Sequence, residues 1–289
     1  MSEPTPVPGS LPVCPRHPDQ ATGVRCTRCQ RPVCSQCMVP APVGFQCTDC
    51  VSAASGTVRQ ATTPAGGTPI GRPLVTYILI GITAGIFLLQ FTVGIDEVAS
   101  SWGMWPVGIS VGGEWWRLLT AAFLHGSFLH IAFNMYVLFA LGPTLERILG
   151  HGRYLTLYVL AALGGGVASY AFSDMRTVSV GASGAIFGLM GALIVAGRRL
   201  RYDITQVVIL LAINVVIGFL SAGVDWRAHL GGLVTGAAVA AIFVLPARHH
   251  RALVQSAGLI GVVLVLAGIV AWRTAQINEM LAPLGPLTL

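Results

Sequence analysis

The sequence predicts an all-α, polytopic membrane protein that begins with a small cysteine-rich domain. Three observations carry that expectation. Hydrophobic residues fill 54% of the 289 positions and charged residues only 10%, against about 25% charged in soluble globular chains. Beyond Leu74 the chain is almost continuously apolar, in runs of bilayer-crossing length. All seven cysteines lie within residues 1–50.

The cysteines come in regular pairs: CPRH at 14–17, CTRC at 26–29, CSQC at 34–37 and CTDC at 47–50. Each pair has a two-residue gap, and the resulting eight soft or borderline ligands suit two tetrahedral zinc ions. Disulfides fit less well, because seven is odd and the topology argued below puts these residues in a reducing compartment. The expected wiring is crossed. Cys14, His17, Cys34 and Cys37 take one ion; Cys26, Cys29, Cys47 and Cys50 take the other. Sequential pairing stays open. The arrangement resembles a treble-clef or B-box-like zinc finger. With no position left for water, the zinc is expected to be structural. A domain of about 40 residues has too small a core to fold unaided, so metal supplies much of its stability. A protein partner or a regulatory role is expected for it.

Residues 51–73 are small, polar and glycine-rich, which predicts a flexible linker. The N-terminus has no basic region followed by an apolar one, so the first span is expected to insert uncleaved.

Seven spans follow, at roughly 74–92, 118–141, 153–172, 182–197, 205–222, 228–245 and 254–272. They are read as helices, since no alternation marks a membrane barrel. Six form a core over 74–245; the seventh, with a tail, occupies 246–289. One set of loops holds Arg147, Arg153, Arg198, Arg199, Arg201, Arg248 and Arg251. The other set holds Asp96, Glu97, Glu114, Asp174 and Asp225, with only Arg117, Arg176 and Arg227. The positive-inside rule puts the first set, and with it the N-terminus, in the cytoplasm. The net charge of +6 then suits anionic lipid. Basic residues are nowhere interleaved with aromatics, so nucleic acid is not expected as a partner.

Polar groups inside a bilayer are costly and mark function by default. His125, His130 and Asn134 belong to the second span, Ser183 to the fourth and His229 to the sixth. These three spans run in the same direction, and each carries its polar residues near the outer end. His130 and Asn134, four apart, share a helix face. A serine, two histidines and an amide at one depth can assemble a hydrolytic site. The competing account of GASGAIFG at 181–188 is packing, since Gly184 with Gly188, and Gly232 with Gly236, form GxxxG pairs.

From about 74 to 245 the chain resembles the rhomboid intramembrane serine proteases. The likeness rests on GEWWRLLTAAFLHGSFLHIAFNMYVLFALGPTLE at 113–146, GASGAIFG at 181–188 and AHLGG at 228–232. It implies a six-helix core carrying a Ser183 nucleophile and a His229 base, a dyad without a carboxylate. It implies an oxyanion hole of the Ser183 N–H, His130 and Asn134. His125 is implied to support that motif, Phe187 to stack on the catalytic histidine, and Trp116 and Arg117 to shape the first outer loop. Glu146 matches an acidic residue closing the second span. Gly181 and Gly184 bend the chain and bring the fourth span close to the sixth. The implied substrates are transmembrane segments of other proteins, cut from the outer side of a bacterial-type cell membrane. No catalytic cofactor is implied. A catalytically silent relative and a transporter are the competing functional classes.

Overall fold

The computed structural model describes residues 11–57, 61–220 and 223–284. Two compact units divide the chain, residues 1–60 and 61–289.

The first unit is built from two small hairpins and a helix. β1 (Val13–Cys14) pairs antiparallel with β2 (His17–Ala21), setting Cys14 opposite His17. β3 (Met38–Pro40) pairs antiparallel with β4 (Phe45–Cys47), setting Met38 opposite Cys47. Gly44 turns the second hairpin at a φ of 69°, in the left-handed region that glycine adopts freely. α1 (Thr48–Thr57) follows directly. Among the described residues of this unit, the buried hydrophobic positions are Cys14, Cys26, Cys34, Cys37, Cys47 and one aliphatic, Val33. Sulfur stands where a larger domain would place leucine.

The second unit starts with a tight turn. Thr63 N–H donates to the Gly67 carbonyl and Gly66 N–H to that of Thr63, both at 2.8 Å, and Ala65 is fully buried. Within the stretch expected to be a flexible linker, 51–73, the described residues include the end of α1 and this turn. α1 runs to Thr57 in one unit, and the Thr63–Gly67 turn packs in the other. Small residues, read as a sign of flexibility, here permit close packing: a Cβ on Gly67 would lie 2.2 Å from the Leu149 carbonyl oxygen.

Among the described residues, ten α-helices complete this unit. They are α2 (Leu74–Val93), α3 (Ile95–Trp102), α4 (Pro106–Ser110), α5 (Arg117–Thr120), α6 (Phe128–Leu149), α7 (His151–Phe172), α8 (Ser183–Leu200), α9 (Thr205–Leu220), α10 (Trp226–Val244) and α11 (Arg251–Leu281). Six of them, α2, α6, α7, α8, α10 and α11, are long and apolar enough to cross a membrane. The segment expected as the fifth span is α9, whose 16 residues rise only about 24 Å. The last two positions of that expected span, 221–222, lie outside the described residues. The second expected span, 118–141, is also displaced: α6 begins at Phe128 and runs to Leu149. Leu118, Ala121 and Ala122 are apolar because they are buried in protein. Ser127 starts the helix by accepting the His130 N–H at 3.2 Å, an N-cap that hydropathy does not mark.

α7, α8 and α10 form the centre, and α8 meets α10 backbone to backbone. A Cβ on Gly232 would fall 1.9 Å from the Gly184 carbonyl oxygen, and one on Gly236 would fall 2.2 Å from that of Gly188. The two GxxxG pairs thus interlock. α2 is peripheral, and its buried residues are Thr76, Leu79, Thr83 and Gln90. Polar bonds hold both of its ends. Glu146, fully buried at the end of α6, accepts the Val75 and Thr76 N–H groups at 2.9 Å and the Thr76 hydroxyl at 2.6 Å. It also meets His151 Nδ1 at 2.5 Å. Gln90 accepts the His125 N–H at 2.9 Å and donates to the His125 carbonyl at 3.3 Å.

A buried carboxylate with four such partners is costly to mismatch. Glu146→Gln removes the charge and puts an NH₂ where one oxygen accepts. A loss of about 2 kcal/mol is expected, read as a lowered thermal midpoint in detergent; an unchanged midpoint would contradict this account.

Candidate active site

Ser183 is the first residue of α8, and the chain reaches it through a constrained approach. The segment before it is pinned by a pair of backbone bonds, Met104 N–H to the Ser179 carbonyl at 3.0 Å and the reverse at 2.9 Å. Gly181 then takes a φ of 139° and donates its N–H to the Ala121 carbonyl at 2.9 Å. The first bond within α8 runs from Ile186 N–H to the Ala182 carbonyl. The amides of Ser183 and Gly184 therefore stand at the open, positive end of the helix.

His229 lies in the first turn of α10, which Asp225 caps. The Asp225 carboxylate accepts the N–H groups of Arg227 at 3.2 Å and Ala228 at 3.3 Å. The Ser169 hydroxyl of α7 donates to its other oxygen. So anchored, His229 places Nε2 2.9 Å from Ser183 Oγ. Its ring stacks on Phe187, with centroids 4.1 Å apart and planes 14° apart. Phe187 sits one turn beyond Ser183 on α8, so one helix supplies both the hydroxyl and the surface that orients the imidazole.

His130 borders the same space. A Cβ on Gly181 would lie 2.8 Å from His130 Nε2 and 3.6 Å from Ser183 Oγ. Glycine thus leaves a gap bounded by the ring on one side and the hydroxyl on the other. The Gly126 N–H points at His130 Nδ1 over 3.5 Å, which favours the tautomer with hydrogen on Nε2, facing that gap. Asn134 is buried, donates to the His130 carbonyl at 2.9 Å and lines the same cavity. His125 lies before α6 instead of inside it, fully buried, with its ring edge-on to His130 at 4.9 Å. Arg117 is buried and bonds the Ser100 and Gly103 carbonyls at 2.8 and 2.9 Å and Glu114 at 2.5 Å. It holds the loop around α3 to α5 together. Its neighbour Trp116 is half-exposed. Ser183, His229, His130 and Asn134 all line one cavity of about 950 Å³.

Sequence reasoning passed over four residues that shape this site: Gln90, Ser169, Asp225 and Asn214. A lone Gln in the first apolar run and a lone Asn in the fifth were signals, since polar groups at membrane depth need partners. Asn214 also lines the cavity and donates to the Leu210 carbonyl at 2.7 Å.

In the first unit, the ligand atoms of Cys14, His17, Cys34 and Cys37 lie within 4.8 Å of one another. Those of Cys26, Cys29, Cys47 and Cys50 do the same. His17 Nδ1 is 3.3 Å from both Cys34 Sγ and Cys37 Sγ, and Cys29 Sγ is 3.7 Å from Cys47 Sγ. Tetrahedral Zn–S bonds of about 2.3 Å separate sulfurs by about 3.8 Å, so the spacing fits. The Cys14 thiol is lowered to about 6, chiefly by a backbone hydrogen bond at Cys34. Burial raises Cys37 to about 11, helped by Cys14 and Cys34 beside it. A divalent cation offsets the mutual repulsion of such thiolates. Both four-residue sets can hold a metal ion.

The chain is thus a multi-pass membrane protein with a serine–histidine pair in a cavity between its helices. It belongs to the rhomboid family. The rhomboid domain matches residues 112–246 and the B-box zinc finger residues 10–41. Rhomboid protease GluP of Bacillus subtilis is 37% identical over 65% of this chain, and the match spans 38% of that protein. The putative rhomboid protease YdcA of the same species is 35% identical over 57% of this chain and 85% of its own length. Rhomboid protease AarA of Providencia stuartii is 28% identical over 59% of this chain and 72% of its own. Such likeness supports serine-type intramembrane proteolysis.

The Ser183–His229 distance depends on how near α8 and α10 approach. A Cβ on Gly184 would lie 3.2 Å from the Ala228 carbonyl oxygen and 3.3 Å from Gly165 Cα. Gly184→Val is expected to push the pair apart and cut fluorophosphonate labelling of Ser183 by about 100-fold. Circular dichroism should still report a folded helical protein; wild-type labelling would contradict the account.

Proposed function

We propose that this protein is an intramembrane serine endopeptidase that cleaves transmembrane segments of other membrane proteins through a Ser183–His229 dyad. The observation that carries the reading is the 2.9 Å contact between Ser183 Oγ and His229 Nε2 inside the cavity. His229 Nε2 takes the hydroxyl proton as Oγ attacks the scissile carbonyl carbon. The carbonyl oxygen gains the charge, facing the Ser183 N–H, His130 and Asn134. His229 then gives its proton to the leaving amine, the C–N bond breaks, and Ser183 holds the acyl group as an ester. Water, deprotonated by His229, releases the acid and restores the hydroxyl. A transmembrane substrate must unwind locally first, because a helix ties up its own carbonyls. The cavity supplies room for water and an unwound strand.

In this reading the chain crosses the membrane seven times, with α9 as the fifth and shortest span and α11 as a helix beyond the six-helix core. The arginine-rich loops and the N-terminal domain face the cytoplasm, and the cavity opens on the outer side. That domain, residues 1–50, holds two structural zinc ions on the crossed ligand sets and contacts a protein partner. Its small core makes the metal a condition of folding.

Two measurements test these assignments. Ser183→Ala and His229→Ala in reconstituted protein should each abolish cleavage of a transmembrane substrate and labelling by a fluorophosphonate, with the thermal midpoint retained. Cleavage surviving Ser183→Ala would refute the dyad. Elemental analysis of the purified full chain should find two zinc ions, falling to one in Cys26→Ser/Cys47→Ser. One ion or none in the wild type would refute the two-site assignment.

A further inference from the structure

At the arginine-rich end of the helices, two guanidinium groups converge without an acidic partner. Arg153, in the first turn of α7, gives Nε and Nη2 to Gln255 Oε1 at 3.3 and 3.1 Å and lies 6.0 Å over the Phe243 ring. Arg251 opens α11, and its Nε is buried with no hydrogen-bond partner. Both groups lie over the glycine turn. A Cβ on Gly66 would sit 2.5 Å from Arg251 Nη1, and one on Gly67 3.2 Å from Arg153 Nη1. Among the described residues no carboxylate is within ion-pair distance of either arginine. The nearby Glu146 is turned inward and fully engaged with α2 and His151. Positive charge is gathered here and left uncompensated.

The same two helices enclose an apolar groove of about 480 Å³ beyond that charge. Thr156, Val159 and Leu160 of α7 face Leu259, Val263 and Leu264 of α11 across it. On α7, Arg153, Thr156 and Leu160 follow at three- and four-residue steps; on α11, Arg251, Gln255, Leu259 and Val263 follow every fourth. Those steps keep each set on one helix face. The charged pair and the groove are therefore one continuous surface, basic at its mouth and apolar along its length. Gln255 fixes that continuity by donating to the Ala65 and Phe243 carbonyls at 3.2 and 2.9 Å while accepting from Arg153. α11 lies beyond the matched rhomboid domain, which stops at residue 246.

We infer that this surface is a binding site for one anionic phospholipid, its phosphate held by Arg153 and Arg251 and an acyl chain laid in the α7–α11 groove. A phosphate supplies the acceptor that Arg251 lacks and the negative charge that both guanidinium groups lack. Basic pockets between membrane helices are suited to such headgroups. A zwitterionic lipid would bring its own cation to the same mouth and be disfavoured. The site is separate from the Ser183–His229 cavity and does not depend on proteolysis.

Native mass spectrometry of the full chain, loaded from mixed phosphatidylglycerol and phosphatidylcholine micelles, tests this. The wild type is expected to retain one phosphatidylglycerol in preference to phosphatidylcholine. Arg251→Gln should lower that retention about fivefold, and Arg251→Lys should keep most of it. Val263→Trp, which fills the groove and leaves both arginines in place, should remove the bound lipid. Equal retention of the two lipids by the wild type would overturn the proposal. So would wild-type phosphatidylglycerol retention by Arg251→Gln or by Val263→Trp. Release of the lipid by inorganic phosphate alone would overturn it in favour of a free-anion site.

Discussion

The contact between α8 and α10 sets the terms for the rest of the membrane unit. Two helices carrying ordinary side chains pack with axes 8–10 Å apart, roughly. Glycines at 184, 188, 232 and 236 remove that spacer, and the helices meet carbonyl against Cα. At that approach Ser183 Oγ on one helix reaches His229 Nε2 on the other at 2.9 Å. In a bilayer the approach is not driven by water, because lipid is as apolar as leucine. It is held by close van der Waals contact along the pair and by the α7 surface beneath them, where Gly164 and Gly165 accommodate Thr235 and Ala228.

Polar residues then fix what packing leaves undetermined. Asp225 caps α10 and so sets the first turn in which His229 sits. Ser169 ties that cap to α7. Gln90 grips the His125 backbone from α2, and His125 in turn abuts His130. Asp225, Ser169 and Gln90 each answer the desolvation of a polar side chain with a hydrogen bond, so each specifies one geometry. The first unit solves the same problem differently. With Val33 as its one buried aliphatic among the described residues, its order rests on clustered sulfur and a histidine nitrogen.

Much of this was legible in the sequence, and the limits have physical reasons. Apolar runs announced helices because lipid selects for continuous hydrophobicity, yet the same signal misplaced the second span. Leu118, Ala121 and Ala122 are shielded by protein, and hydropathy cannot tell that from shielding by lipid. The small residues around Gly66 and Gly67 read as a linker because composition is silent on whether a glycine faces water or a neighbouring carbonyl. Cysteine spacing left crossed and sequential pairing open; in the fold the ligand atoms of Cys14 and His17 gather with those of Cys34 and Cys37. Ser183, His229, His130 and Asn134 drew notice as polar residues at a similar depth. Asp225 did not, since an acidic residue in a loop looks like a solvated charge until the helix it caps is known.

The first span shows a last consequence. Its outward residues, among them Ile78, Ile82, Leu88 and Phe91, are largely exposed, and lipid can replace lipid-like contacts without loss. Thr76, Thr83 and Gln90, its buried polar residues, recur at every seventh position. Each added residue turns a helix by about 100°, so only one rotational setting of α2 brings Thr76 to Glu146 and Gln90 to His125. This helix is indexed like a key by two polar teeth, Thr76 and Gln90, while its apolar surface carries almost no positional information.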